Sequence, residues 1–185
     1  MTDLDQKLAS RLARLRRQSG WTLDQLAERS GISRASLSRM ERGDTSPTAS
    51  VLGQLARAYR VPMAELFAGA EDQVGGHVAR KDQEVWRDPE SGFERRAVSP
   101  AAQGFRATVI EGCITADGSV SYDQPPVPGL EHHLVLLEGE LEVTLESEAH
   151  RLSVGDCLRF RLNGPNRYRA IGPQDARYLL TVVMP

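Results

Sequence analysis

The chain has 185 residues, enough for one mid-sized domain or two small ones. Hydrophobic residues make up 40% and charged residues 26%, as in ordinary globular proteins, and no apolar run approaches the roughly 20 residues that span a bilayer. The opening MTDLDQKLAS lacks the apolar core of a signal peptide, so a cytoplasmic location without membrane contact is expected. The two cysteines, Cys113 and Cys157, form no disulfide framework and read as small hydrophobes rather than a redox pair. The net charge of −2 hides an asymmetry: residues 1–70 carry 11 Lys+Arg against 7 Asp+Glu, and the remainder carries 12 against 18. A basic first part beside an acidic second part points to nucleic-acid contact confined to the first.

Residues 1–68 read as helices. Leu4, Leu8, Leu12 and Leu15 recur at three- and four-residue steps, the period of an amphipathic helix that Gly20 ends. Thr22, three residues before Gln25, is a capping-box pattern opening a second helix with Leu23, Leu26 and Ala27. Gly31 breaks that helix, and Ser33 caps a third that runs to about Arg42 before Gly43 stops it. Ser46-Pro47 predicts the start of a fourth helix, with Ser46 as N-cap and Val51, Leu52 and Leu55 buried. Pro62 opens a short fifth helix holding Met63, Leu66 and Phe67.

Within this run, Trp21 to Gly43 has the spacing of a helix-turn-helix: small Ala27 at the crossing, Gly31 at the sharp turn, Ile32 and Leu37 beneath. The segment resembles the lambda-repressor-like, or xenobiotic-response-element type, family of bacterial regulators over about residues 8–67. Leu26-Ala27, Gly31, Ser33, Ser36, Leu37, Glu41, Gly43 and Pro47 fall where that family has them. Leu23 departs, because many members carry a phosphate-binding Gln there. The resemblance implies that the third helix reads DNA, with Ser33, Arg34, Ala35, Ser36, Ser38 and Arg39 able to face it. Arg34 and Ser38 are the candidates for base edges, and Arg39 is divided between base and phosphate. Thr22, Arg16, Arg42 and Ser46 are the phosphate candidates. Leu37 and Met40 are expected in the core, and Glu41 as the intramolecular partner of an arginine. The competing reading is a helical bundle whose arginines merely solvate a face; the agreement of turn chemistry along the whole segment argues against it.

From Gly69 to about Gln83 the chain is polar, contains Gly75-Gly76 and shows no period, so it reads as a linker. Short β-branched or aromatic runs follow, separated by Gly, Pro, Asn and Asp: Phe105–Thr115, His133–Leu137, Leu141–Leu145, Cys157–Phe160 and Arg177–Val183. Such spacing predicts a β-sandwich or barrel. The expected fold is α+β in two domains: an all-α five-helix bundle with a helix-turn-helix over residues 1–69, a linker over 70–83, and an all-β barrel over 84–185.

Residues 129–170, with LLEGELEVTL around Gly139, HRLSVGD ending at Gly155-Asp156, and LNGPNRYRA, resemble the cupin barrel. Metal-binding cupins use two His and a Glu in the first motif and one His in the second. Here the Glu position falls on His132, the upstream His positions fall in Pro125–Pro128, and the second-motif His is Asn166. His132 and His133 are adjacent and point to opposite faces of a strand, so both cannot ligate one ion. A metal-free barrel with no cofactor and no catalytic residue is expected. The resemblance then makes Glu131, His132, Asn166 and Tyr168 candidates for recognising a small-molecule effector, with Phe160 as an apolar wall. A regulatory head followed by a cupin tail implies a sequence-specific DNA-binding regulator, acting as a homodimer on a pseudo-palindromic double-stranded operator. The alternatives are a barrel that only dimerises, and a metal-dependent cupin enzyme with a DNA-binding head.

Overall fold

In a computed structural model that describes residues 3–67, 76–102 and 104–185, the leucine period forms α1 (Asp3–Gln18). α1 buries Leu8, Ala9, Leu12 and Ala13, with Asp3 and Asp5 at its positive end and Arg16 and Arg17 at its negative end. α2 (Leu23–Ser30) starts on a complete capping box: the Gln25 amide donates to Thr22 Oγ1 at 3.2 Å, and the Thr22 amide donates to Gln25 Oε1 at 2.9 Å. Gly31 then adopts φ +75°, a left-handed turn that redirects the chain into α3 (Arg34–Glu41). The buried Ser30 holds this turn. Its hydroxyl donates to Leu26 O at 2.7 Å and accepts from the Ile32 amide at 3.3 Å.

α4 (Ala49–Tyr59) and α5 (Met63–Phe67) complete the bundle. The Ser46 cap is corrected here: α4 begins two residues after Pro47, and its N-cap is Thr48, whose side chain accepts from the Val51 amide at 3.3 Å. The expected linker lies partly outside the described residues, at 70–75; its remainder includes a tight 3-10 turn at Arg80–Asp82.

Ten antiparallel strands follow among the described residues. β1 (Val85–Arg87), β2 (Phe93–Ser99), β3 (Ala107–Ile114), β10 (Ala176–Val183), β5 (Leu130–Glu138) and β8 (Cys157–Leu162) pair in that order in one sheet. β4 (Ser119–Tyr122), β9 (Asn166–Ala170), β6 (Leu141–Leu145) and β7 (Glu148–Leu152) form the second. The two inner faces supply Ile110, Leu134, Leu136, Val143, Tyr168 and Tyr178 to one core. Five strands coincide with the expected apolar runs, although β3 begins at Ala107 and leaves Phe105 outside, 62% exposed. β2, β7 and β9, reading FERRAVS, EAHRL and NRYRA, were hidden by the charged residues at their outward positions.

The helical and β portions are not separate beads. Core residues of both belong to one buried cluster, in which α5 meets β1 as Phe67 packs on Trp86 at 6.0 Å between ring centroids. Asp88 Oδ2 accepts from the Ala49 amide at 3.0 Å, Gln124 Oε1 from Arg57 at 3.1 Å, and Glu84 Oε1 from Lys7 at 3.1 Å.

Candidate DNA-reading helix and barrel cavity

α3 divides sharply by burial. Leu37 and Met40 face the core, whereas Ser33, Arg34, Ala35, Ser36, Arg39 and Arg42 are exposed. Its first turn is ordered by the Ser33 hydroxyl, which accepts from the Ser36 amide at 3.2 Å and lies 2.9 Å from the Ser36 hydroxyl. That leaves the amides and hydroxyls of the N-terminus at the surface, where helix dipole and N–H groups favour an anionic backbone. Arg34 Nε sits 3.2 Å from Asp24 Oδ1, and both side chains are well exposed, so the pair holds the guanidinium in place without committing it. Arg39 makes no ion pair with a described residue.

The other predicted contacts are placed differently. Arg16 is enclosed: Nε and Nη2 donate to the two oxygens of Glu41 at 2.7 Å each, and Nη1 donates to Trp21 O at 2.9 Å. Arg16 therefore ties α1 to α3 and to the start of α2, and its guanidinium is not presented to phosphate. Glu41 is thus the arginine partner that its position suggested. The Ser46 hydroxyl is buried without a partner and is likewise withdrawn from phosphate. Ser38 is half-buried and accepts from Arg42, which also pairs with Asp44 at 2.7 Å. Thr22 is exposed at the α2 N-terminus, and Leu23, in place of the family's Gln, packs against the core.

Between the two sheets lies a cavity of about 100 Å³ whose walls are chiefly apolar. The β5 and β9 alternations bring His132, Asn166 and Tyr168 into it, three of the five residues singled out by the cupin spacing. Phe160 stands behind, edge-on to His132 at 4.9 Å between centroids, and does not line the space. Glu131 is on the outer face, where it pairs with His133 Nε2 at 2.8 Å and with Arg161 at 3.8 Å, so it takes no part in the cavity. The adjacent histidines point to opposite faces, as strand parity requires.

Burial, then the neighbouring His133, pull His132 down to about 4, so it is neutral at physiological pH, and its Nδ1 is buried without a partner. Asn166 has one long contact, Nδ2 to Gly164 O at 3.4 Å. One imidazole, an amide and tyrosines do not fit the metal centre of metal-binding cupins, and no three His, Cys, Asp or Glu among the described residues cluster to hold an ion. Sequence reasoning missed Arg95, which is 4% exposed and also lines the cavity. Gly53, Pro62, Met63 and Ala64 of the helical portion line it as well.

Comparison with known proteins follows this division. The helix-turn-helix family HTH_3 matches residues 12–66. The chain is 27% identical over 184 residues to the HTH-type transcriptional regulator SutR of Escherichia coli, covering 96% of this chain and 95% of that protein. It is 39% identical over 74 residues to an HTH-type transcriptional regulator of Sinorhizobium fredii, covering 40% of this chain and 96% of that one. A solved HTH_3-family regulator from Vibrio cholerae shares the fold with a TM-score of 0.80 at 23% identity, over 98% of this chain and 97% of its own. A solved cupin-2 domain from Rhodospirillum rubrum shares the barrel fold with a TM-score of 0.50 at 10% identity, over 60% of this chain and 75% of its own. The chain belongs to the lambda-repressor-like HTH_3 family of helix-turn-helix transcriptional regulators, and carries a cupin-type barrel behind its DNA-binding domain.

Proposed function

We propose that this regulator acts in the cytoplasm as a homodimer on a pseudo-palindromic operator, and that the barrel cavity holds a small effector that biases DNA binding. The exposed polar face of α3 carries the DNA half of this reading. Arg34 and Arg39 reach base edges, Ala35 and Ser36 lie against the groove, and Thr22, Ser33 and Arg42 hold phosphates. Ser38 acts through Arg42, which it already contacts. One short helix buries little DNA, so two heads about 34–36 Å apart are needed for operator-grade affinity. The effector half is supported by His132, Asn166 and Tyr168 converging on a cavity that the helical portion also lines.

Selecting bound sites from random double-stranded DNA tests the reading. Two inverted copies of one half-site at fixed spacing are expected, and a single unrepeated site would overturn the dimer. Arg34→Ala should flatten preference at one base pair per half-site by about 1–3 kcal/mol while leaving thermal stability unchanged. An unaltered site profile for that variant removes Arg34 from the reading set.

A further inference from the structure

Arg95 is a buried charge without an answering charge. It lines the cavity and makes no hydrogen bond or ion pair with a described residue. Its Cζ lies 4.8 Å from the centroid of the Phe67 ring, a face contact that positions the guanidinium without using its N–H donors. Glu84, the carboxylate that favours its charge from a distance, pairs with Lys7 at 3.1 Å, and the other acids of this region are engaged elsewhere. Asp88 accepts from the Ala49 and Glu90 amides and the Ser91 hydroxyl. Glu94 pairs with Arg87, and Glu111 with Arg96 and Arg177. Burial pulls Arg95 down only to about 10, so it stays cationic at neutral pH.

The register builds a seat around this charge. Arg95 is opposite Gly112 and Gly112 opposite Tyr178, one row across β2, β3 and β10. A Cβ at Gly112 would lie 2.4 Å from Tyr178 Cζ and 2.6 Å from its hydroxyl, so the tyrosine ring occupies the space above the glycine that separates it from Arg95. Tyr122 is also on the cavity wall, and burial pushes its phenol and that of Tyr178 up, so both are neutral hydroxyls beside the guanidinium.

Building on the effector reading above, we propose that the cavity takes a small carboxylate with a short aliphatic body. The anion sits on the Arg95 guanidinium beside Tyr122 and Tyr178, and the apolar end lies against Ile110, Val120 and Leu180. The planar fork of arginine matches a carboxylate in two parallel hydrogen bonds, and a single cation among apolar walls suits a monoanion better than a phosphate dianion. The volume of about 100 Å³ compares with the roughly 150 Å³ of an apolar cavity that holds benzene, which limits the body to a few carbons. Because Phe67 stacks on Arg95 and residues of α4 and α5 line the space, the ligand touches the helices that support the DNA reader. Ligand and operator affinities are then linked, each changing the other by the same factor.

The test is thermal unfolding of the full chain with butyrate, isovalerate and valerate, against the corresponding amides and amines, at fixed pH and ionic strength. The acids should raise Tm with concentration and the amides and amines should not. In Arg95→Met the unliganded Tm should be unchanged or higher, since an unpaired buried charge has gone, while carboxylate affinity falls roughly tenfold or more. Arg95→Lys, which keeps the charge and loses the fork, should lie between. An intact carboxylate response in Arg95→Met overturns the proposal, and a lower unliganded Tm alongside it would make Arg95 a purely structural residue. Equal stabilisation by the amides or amines overturns the anion assignment but keeps the cavity as a ligand site. No shift from any of the three classes overturns the effector reading, and the proposal with it.

Discussion

His132 shows how strand parity sets the chemistry of a single side chain. It is 6% exposed and neutral, whereas His133, one residue on, is half-exposed and bound to Glu131. The folded chain resists protonating His132 until about pH 4, while an unfolded chain takes up that proton near pH 6.5. Between those values the unfolded state binds more protons, so stability is full above the unfolded value and is lost as pH falls through the window. The loss for this one group is up to about 3 kcal/mol. His132→Leu should therefore flatten the pH dependence of unfolding free energy between pH 4 and 6.5, measured by denaturant titration at several pH values. An unchanged slope would show that other groups carry the acid sensitivity. The cupin spacing made His132, Asn166 and Tyr168 legible, because their positions follow from turn glycines in sequence. Arg95 was not legible: within FERRAVS it is one arginine beside another, and only the pairing of β2 with β3 shows which one faces inward.

At the scale of elements, α4 shows where local pattern stops. Ser46-Pro47 has the chemistry of a helix start, yet the first turn of α4 is satisfied by Thr48 from within and by Asp88 from the β1–β2 hairpin. The second partner is 39 residues away in sequence, beyond any capping motif. By contrast α2 and α3 start and stop as their sequences predict, since Thr22, Gln25, Gly31 and Ser33 all act within four residues of their targets. Asp88 is 8% exposed and accepts three hydrogen bonds, so Asp88→Ala leaves the Ala49 and Glu90 amides and the Ser91 hydroxyl without their acceptor. A loss of about 2–3 kcal/mol is expected. Hydrogen exchange should show the loss concentrated at the α4 N-terminus and the hairpin. Uniform loosening of the helical bundle instead would place the main support of α4 in its apolar face.

Over the whole molecule, the sequence distinguishes two compositions, one basic and helical, the other acidic and β-rich, and separates them by a polar stretch. It does not show that they are docked, because docking rests on contacts between residues far apart: Phe67 on Trp86, Asp88 on Ala49, and Tyr122 against Gly53. The last contact is the tightest. A Cβ at Gly53 would lie 2.8 Å from Tyr122 Cδ1, so the close approach of helix α4 to Tyr122 depends on the absence of a side chain there. In an isolated helix, replacing Gly by Ala stabilises by about 1 kcal/mol, so intrinsic propensity and docking act in opposite directions at this one position. Gly53→Leu should push α4 off Tyr122, opening the cavity and uncoupling the helical bundle from the barrel. Calorimetry is expected to resolve two unfolding transitions where the parent shows one, with any effector-induced rise in Tm abolished. Specific contacts of α3 with DNA should survive, because the exposed face of α3 takes no part in the approach of Gly53 to Tyr122. A single transition at the parent's Tm would show that the head is not fixed to the barrel through Gly53, and docking would then rest on Phe67 with Trp86 and on the Ala49–Asp88, Arg57–Gln124 and Lys7–Glu84 hydrogen bonds.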